Sequence, residues 1–350
     1  MEGKKMIKII DLRSDTCTLQ PEEMKDAMRN AEVGDEYYDD DPTINKLLDL
    51  TCEILNKEAA LFTPSGTMGN LIAMLAQTDR GDLVIGEYDS HSFRCEVSNI
   101  SAAGGVMPKR IKSHLGIMDI ADIEAAIPPK SYVYPEATLL LVENTHNAAG
   151  GTCTSIDQMA KYRKVADKYK IKIHVDGARI FNAAIALGVK PSELAKDADT
   201  LSFCLSKGLA GPFGGMVVGS KETISRARYY KQMFGGGFRQ AGYMAACGIY
   251  ALNHMIERLA EDHENAKFLA KGLVELGMEV DMDSVQTNMV YFNVPPSLIA
   301  ADEFSKKINS YQGIKTNAPS KNRIRLVTHY GIEKDDVEYF LGKVKSVIND

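Results

Sequence analysis

The sequence predicts an α/β protein: a mostly parallel sheet covered by helices, followed by a smaller α+β unit. Short apolar runs alternate with longer helical patterns along much of the chain, and strand–helix–strand alternation is typical of parallel sheets. The chain has 350 residues, which suggests about two domains.

The predicted elements of the first part follow in chain order. Apolar runs predict strands over 82–86, 138–142, 171–175 and 200–205, and helical periodicity predicts helices over 67–77, 119–127, 156–169 and 192–197. Beyond them, a long helical pattern covers 240–273, strands are expected over 288–294 and 324–328, and helices over 300–310 and 334–348. The domain boundary is placed inside the long helix, which gives a large domain over 1–255 and a small one over 256–350.

Composition excludes several classes of protein. Hydrophobic residues make up 45% and charged residues 25%, the net charge is -6, and no Lys/Arg block stands out. We therefore expect no nucleic-acid partner. No apolar run approaches the roughly 20 residues of a membrane span, so we expect no membrane partner either. Residues 1–5 lead into only a short apolar stretch, so we expect no signal peptide. The six cysteines are dispersed without a CxxC pair, so we expect buried free thiols and neither disulfides nor a zinc site. Free thiols in turn favour a cytoplasmic location.

Candidate site residues are expected at strand ends, because ligands of open α/β sheets bind outside the carboxyl ends of the strands. Ser65, Gly66 and Thr67 form a small-residue turn that opens a helix, where unsatisfied N–H groups would hold a phosphate. An ordinary helix N-cap is the alternative.

Two histidines follow the next two strands. His91 comes after strand 82–86, where it would stack on a flat ring or act as a base. Taken alone, this segment favours an ordinary surface-loop histidine. Glu143 and His146 follow strand 138–142, in a run of five polar residues that packing does not explain. They would orient a substrate or relay a proton, with a capping turn as the alternative.

The last two strands end in an acid and a lysine. Asp176 follows strand 171–175, and Arg179 is three residues on. A buried carboxylate needs a partner, which would be a pyridinium nitrogen or Arg179 itself. Lys207 lies between strand 200–205 and a glycine-rich turn. It is a candidate imine-forming nucleophile, with a solvent-facing turn lysine as the alternative.

The combination of these parts favours one cofactor. A phosphate-binding helix start, an aspartate at one strand tip and a lysine at a later one are what pyridoxal 5'-phosphate requires. Lys207 would form the Schiff base, and Asp176 would keep the ring nitrogen protonated.

The motifs also resemble a known family. The chain is similar to the low-specificity L-threonine aldolases, in the aldolase and β-eliminating-lyase group of fold-type-I pyridoxal-phosphate enzymes. The resemblance covers nearly the whole chain, and its motifs lie at 11–16, 41–43, 64–70, 90–91, 143–146, 174–182, 206–209, 235–242 and 324–329.

The resemblance implies a role for each matching residue. Lys207 would hold the cofactor, Asp176 would pair with the pyridinium, His91 would stack on the ring, and Ser65, Gly66 and Thr67 would bind the phosphate. Ser14, Arg179 and Arg325 would bind the substrate carboxylate, with Arg179 also near the cofactor. Arg239 would reach the phosphate of a neighbouring subunit in a homotetramer whose active sites lie at dimer interfaces. No metal site is implied.

The chain departs from the family pattern in several places. Asp39 and Ser98 stand where glycine is usual, Asp40 where glutamate is usual, and Gly215 where serine is usual. Gln232 replaces a family lysine, with Lys231 beside it.

The expected reaction is retro-aldol cleavage of L-threonine or L-allo-threonine to glycine and an aldehyde, with His91, His146 or a water that they hold as the base for the β-hydroxyl proton. A β-eliminating lyase or racemase on the same scaffold, and a cofactor-binding protein without turnover, are the alternatives. A dehydrogenase is disfavoured because no G-x-G-x-x-G motif opens a first βα unit.

Overall fold

The computed structural model describes residues 8–295, 297, 300–320 and 322–349. Residues 1–5, which carry the expectation about a signal peptide, lie outside this part. The chain forms two compact units: Gln20–Glu257, here called the large unit, and Arg258–Asp350 together with Met1–Leu19, here called the small unit. The predicted division at residue 255 put the N-terminal segment in the large domain, and the structure groups that segment with the small unit instead.

Backbone pairing explains why the N-terminal segment belongs to the small unit. The Ile10 amide donates to Gly313 O at 2.6 Å, and the Leu12 amide donates to Lys315 O at 2.9 Å. The side chains of Ile10 and Leu12 are buried in the core of the small unit. A short apolar run near a chain end does not indicate which strand it will pair with. The sequence alone therefore could not assign the N-terminal segment to the small unit.

The strands are β1 (Ile10–Asp11), β2 (Ala59–Thr63), β3 (Leu83–Glu87), β4 (Met107–Ile111), β5 (Ser113–His114), β6 (Ile117–Met118), β7 (Ala137–Glu143), β8 (Lys172–Asp176), β9 (Thr200–Cys204), β10 (Gly215–Gly219), β11 (Glu279–Val280), β12 (Met289–Asn293), β13 (Ile314–Lys315) and β14 (Arg323–Val327).

The helices are α1 (Glu22–Arg29), α2 (Pro42–Leu55), α3 (Gly66–Leu75), α4 (His91–Arg94), α5 (Asn99–Ala102), α6 (Ile120–Ala126), α7 (Ile156–Tyr169), α8 (Ile180–Leu187), α9 (Pro191–Ala195), α10 (Lys221–Met233), α11 (Gly242–His254), α12 (Leu259–Glu275), α13 (Ala301–Ser310) and α14 (Lys334–Asn349).

The large unit is built around a mainly parallel sheet. Seven strands of its described residues pair in the order β2-β10-β9-β8-β7-β3-β4. Only β10 runs antiparallel to its neighbours β2 and β9, and the other pairs are parallel. The carboxyl ends of β2, β3, β7, β8 and β9 therefore lie at one edge of the sheet. The predicted fold class is confirmed.

Burial and caps explain the individual elements. The central strand β7 carries a continuous apolar run that is buried from Leu139 to Val142, as expected for a strand covered on both faces. Helix α7 is capped at its start by Ser155, whose side chain accepts a hydrogen bond from the Gln158 amide, and at its end by Lys170 in the left-handed conformation. The four predicted strands and four predicted helices of this part are present, with ends shifted by at most two residues.

Two expectations were wrong. The pattern over 240–273 forms two helices, α11 and α12, rather than one. No glycine or proline lies at the break after His254, so the local sequence does not predict that the helix ends there. Not all cysteines are buried: Cys204 and Cys247 are, but Cys95 is exposed. No disulfide joins the cysteines of the described chain.

The small unit is α+β. Strands β11, β12 and β14 form an antiparallel sheet, and β1 pairs in parallel with β13. Helices α12, α13 and α14 contribute to its apolar core, which includes Leu269, Phe304 and Phe340. Among the described residues, no helix is long and apolar enough to span a bilayer.

Gly177 provides a test of the packing around the strand ends. A Cβ atom added there would lie 2.8 Å from the carbonyl oxygen of Ser202, so Gly177→Ala should lower the free energy of unfolding by about 1–3 kcal/mol. Gly342, in α14, has open space around the position of a Cβ atom. Gly342→Ala should therefore raise the free energy of unfolding by up to about 1 kcal/mol. Urea unfolding of both variants measures this, and equal stability of the two would contradict the packing described.

Candidate active site

The acidic centre of the large unit is Asp176, the last residue of β8. It is 2% exposed, and its two oxygens accept hydrogen bonds from Asn70 Nδ2 at 2.8 Å and from the Ala178 amide at 3.2 Å. A third neutral donor, Ser92 Oγ, lies 3.5 Å from Oδ2. A buried carboxylate held by neutral donors is suited to a cationic ligand.

Asn70, in α3, joins Asp176 to a second buried acid. Its Nδ2 also donates to Glu96 Oε1 at 2.9 Å, and its Oδ1 accepts from Ser202 Oγ at 2.5 Å. Nε2 of His174 lies 3.2 Å from the same Oδ1. The side-chain amide of Asn70 thus uses both its donors and its acceptor inside the protein.

His174 forms the layer behind Asn70. Its Nδ1 lies 2.8 Å from Thr200 Oγ1, which in turn accepts from Gln77 Nε2 at 2.7 Å. Complete burial lowers the pKa of His174 to about 4, so the ring is neutral at neutral pH. A neutral ring donates from one nitrogen and accepts at the other, which matches its two partners.

His91 begins α4 and faces the same acids. Its Nδ1 lies 3.0 Å from Glu96 Oε1, and this hydrogen bond raises the pKa of His91, with the charges of Asp176 and Glu143 adding to the effect against the opposing effect of burial. A ring nitrogen of His91 and one oxygen each of Glu96 and Asp176 lie within 4.8 Å of one another. The ring is about one third exposed, so one end of it is accessible.

His146 is enclosed, in contrast to His91. Its Nε2 lies 2.9 Å from Glu87 Oε2, and its Nδ1 accepts from the Ala149 amide at 3.2 Å. Burial lowers the pKa of His146, but the charges of Glu143 and Glu87 outweigh it and the net change is upward. The Ala149 amide requires an unprotonated Nδ1, so this contact favours the neutral ring. Both ring nitrogens are taken by the protein.

Glu143 connects the two histidines. Its Oε2 accepts from the His91 amide at 2.6 Å, and its Oε1 accepts from the Asn147 amide at 2.7 Å. Burial raises the pKa of Glu143. The carboxylate therefore fixes the backbone of two strand-end loops.

The start of α3 lies beside the lysine turn. Ser65 caps the helix by accepting from the Met68 amide at 3.1 Å. A Cβ atom on Gly66 would lie 2.5 Å from Cys204 Sγ, so only glycine fits there. Burial raises the pKa of the Cys204 thiol, against the charge of Lys207 and a hydrogen bond from it. Gly66, Cys204 and Lys207 are thus neighbours.

Lys207 itself is half-buried in the turn after β9. Its carbonyl oxygen accepts from the Ala210 amide at 2.8 Å, and Ala210 has a left-handed backbone with φ of 59°. The charges of Lys207, Asp176 and Arg179 all act on the Cys204 thiol. The large unit therefore brings together most of its sequence-predicted site residues: Gly66, His91, His146, Asp176, Arg179 and Lys207.

Two predicted site residues belong to the small unit. Ser14 caps a short 3-10 turn by accepting from the Thr16 amide. Arg325, on β14, donates from Nη2 to the carbonyl oxygen of Arg13 at 3.0 Å. Ser14 and Arg325 are therefore near neighbours within that unit.

Arg239 lies in the glycine-rich loop after α10. Its side chain is 62% exposed, with Nη1 3.5 Å from Asp35 Oδ1, and its guanidinium lies 5.1 Å from the centre of the Tyr37 ring. Its carbonyl oxygen accepts from the Glu36 amide at 3.2 Å. The carboxylate of Glu36 binds buried Lys231 and the Phe238 amide, so Glu36 fixes the loop.

Comparison with known proteins identifies the family. The family model for β-eliminating lyases matches residues 11–295. The chain is 42% identical to low-specificity L-threonine aldolase 1 of Arabidopsis thaliana, over 96% of this chain and 95% of the relative. It is 38% identical to the low-specificity L-threonine aldolase of Escherichia coli K12, over 94% and 96%.

This chain belongs to the β-eliminating lyase family. The fold agrees: the solved structure of a Leishmania major threonine aldolase superposes with a TM-score of 0.83 at 19% identity, covering 97% of this chain and 99% of that one.

The structure bears on three of the five departures from the family pattern, those at Asp39, Ser98 and Gln232. Asp39 and Ser98 replace family glycines, and both have left-handed backbones, with φ of 59° and 53°. Asp39 also pairs with Arg228 at 2.6 Å. Lys231 does not take the place of the family lysine at Gln232, because it is buried against Glu36 and the Phe238 ring.

Five further residues of the candidate site were not predicted from the sequence: Asn70, Glu87, Glu96, Ser202 and Cys204. Glu87 and Cys204 end strands, so the strand-end rule applied to Asp176 would also have found them. Asn70 and Glu96 lie on or beside helices, where no comparable rule selects a polar residue.

The neutral ring of His174 leads to a pH prediction. A histidine with a folded-state pKa near 4 binds its proton more readily when unfolded, so the free energy of unfolding falls as the pH drops from about 6.5 towards 4. Between pH 7 and pH 5 this one group accounts for about 2 kcal/mol. His174→Gln should be less stable at pH 7 but should lose about 2 kcal/mol less over that interval. Urea unfolding at both pH values measures the difference, and an unchanged loss would show that His174 is not held neutral.

Proposed function

We propose that this chain is a pyridoxal-phosphate-dependent aldolase that cleaves L-threonine and L-allo-threonine to glycine and acetaldehyde. The observation that carries the proposal is the meeting of Asp176, His91 and Lys207 with the start of α3 at one edge of the sheet. Relatives named low-specificity L-threonine aldolase support the substrate class.

The residues fit the cofactor in three ways. The carboxylate of Asp176 is buried and accepts hydrogen bonds from the neutral donors Asn70 and Ala178, which suits a protonated ring nitrogen. The first turn of α3 carries N–H groups for a phosphate, and Gly66 keeps that turn close to Cys204. Lys207 lies next to Cys204. Asp176 would hold the ring nitrogen, Ser65 to Thr67 the phosphate and Lys207 the aldehyde carbon.

When bound, pyridoxal phosphate supplies the electron sink for cleavage of the Cα–Cβ bond. The protein must then accept the β-hydroxyl proton. Within the described residues His91 Nε2 has no hydrogen-bond partner while Nδ1 is held by Glu96, and a base with a free nitrogen and a raised pKa suits this task. His146 has both nitrogens engaged, so we assign it to orienting polar groups through Glu87 and Glu143.

The substrate carboxylate needs a guanidinium or hydroxyl partner. Arg179, beside Asp176 in the large unit, is one candidate. Ser14 and Arg325, neighbours within the small unit, are the others. We also propose the homotetramer, in which the exposed Arg239 would contact a neighbouring subunit, and a cytoplasmic location.

The experiment follows the products made with added cofactor. Purified protein should release glycine and acetaldehyde from L-threonine. Lys207→Ala should reduce this release on the order of 10³-fold or more and abolish the visible absorbance of the bound cofactor, because the lysine takes part in the chemistry. Lys221→Ala, an exposed lysine at the start of α10, is the matched control and should retain both.

The alternatives give different products. A β-eliminating lyase would release ammonia and a keto acid, and a racemase would change the stereochemistry at Cα without forming glycine. Either result from threonine, allo-threonine or serine, or full retention of activity in Lys207→Ala, would refute the proposal.

A further inference from the structure

The side-chain amide of Asn70 bridges two carboxylates that would otherwise face each other. Nδ2 donates one hydrogen to Asp176 Oδ2 at 2.8 Å and the other to Glu96 Oε1 at 2.9 Å. An asparagine amide has two N–H donors, so the bridge uses both.

The orientation of this amide is fixed from the other side. Oδ1 of Asn70 accepts from Ser202 Oγ at 2.5 Å and lies 3.2 Å from His174 Nε2. His174 is neutral, with a pKa of about 4, and Thr200 at its Nδ1 leaves the Nε2 hydrogen for Asn70. A flipped amide would place its donors against donors and its oxygen against two carboxylates, so one orientation is strongly favoured.

The bridge matters because the two acids are close together and buried. Asp176 and Glu96 are each 2% exposed, and oxygens of the two lie within 4.8 Å. Two buried like charges at this distance repel each other, and hydrogen-bond donors placed between them stabilise both. Without the donors, the repulsion is relieved by movement of Glu96 away from Asp176.

Each acid has a separate partner. Glu96 Oε1 also meets His91 Nδ1 at 3.0 Å and thereby holds the hydrogen on that nitrogen, which leaves Nε2 as the unprotonated one in the neutral ring. Asp176 faces the position that the proposed function gives to the cofactor ring nitrogen. The groups acting on His91 are Glu96, Asp176 and Glu143.

We infer that Asn70 is the positioning residue of this site: it holds the carboxylates of Asp176 and Glu96 in place and, through Glu96, fixes the ring orientation and tautomer of His91. The role given to Asp176 and His91 rests on the proposed function, whereas the hydrogen-bond geometry is independent of it.

The test compares Asn70→Leu with the wild type. Leucine keeps the branched shape and removes both donors. In the cofactor-free protein, the pKa of His91 measured by NMR should fall by about 1 unit, because Glu96 moves away from Nδ1 and stabilises the protonated ring less. The dissociation constant for pyridoxal phosphate should rise tenfold or more.

Asn288→Leu is the matched control. Asn288 is also a buried asparagine whose amide donates to a carboxylate, that of Asp15 at 3.3 Å, but it belongs to the small unit. It should leave the pKa of His91 unchanged. Ser202→Ala is a milder change that removes one donor to Asn70. It should also lower the pKa of His91, by a smaller amount than Asn70→Leu does. This variant replaces Asn70→Leu in the test if Asn70→Leu does not fold.

Failure of the inference and failure of the proposed function are distinguishable. An unchanged pKa of His91 in folded Asn70→Leu, or in Ser202→Ala where Asn70→Leu is unfolded, overturns the positioning role whether or not the wild type binds the cofactor. A wild type that does not bind pyridoxal phosphate overturns the proposed function and leaves the pKa comparison valid.

Discussion

Burial of the Asp176 carboxylate among neutral hydrogen-bond donors is the constraint on which this site depends. Such a group is costly in a protein interior unless donors surround it, and the surrounding sequence supplies them in layers. Asn70 and the Ala178 amide contact the carboxylate directly. His174 and Ser202 fix Asn70 from behind. A polar path therefore extends from the sheet interior to the open edge, where a cationic ring nitrogen would complete it.

Helix α3 joins the two ends of the proposed cofactor position. Gly66 and Asn70 are four residues apart and so lie on one face of the helix. The first turn offers N–H groups to an anion, and the next turn offers an amide to Asp176. The contacts of the two histidines suit them to different roles. Both ring nitrogens of His146 are engaged, by Glu87 and the Ala149 amide, whereas His91 is held at one nitrogen only.

The sequence predicted the part of this arrangement that follows from one-dimensional rules. Asp176, His91 and Lys207 were found because strand ends meet at one edge of a parallel sheet. It could not predict Asn70 or Glu96, whose importance comes from contacts with residues far away in the chain. The break between α11 and α12 and the pairing of Ile10 with the C-terminal residues were missed because tertiary packing decides them. Asp39 stood out as a departure from the family, and its left-handed backbone explains why glycine is usual there.

The most direct test of the central claim is to locate the cofactor on the chain. Purified protein is loaded with pyridoxal phosphate, reduced with borohydride, digested and mapped by mass spectrometry. The arrangement of Asp176, the start of α3 and the turn after β9 predicts a single labelled peptide that carries the cofactor on Lys207. A label on another lysine such as Lys231, or no label at all after saturation, would contradict it.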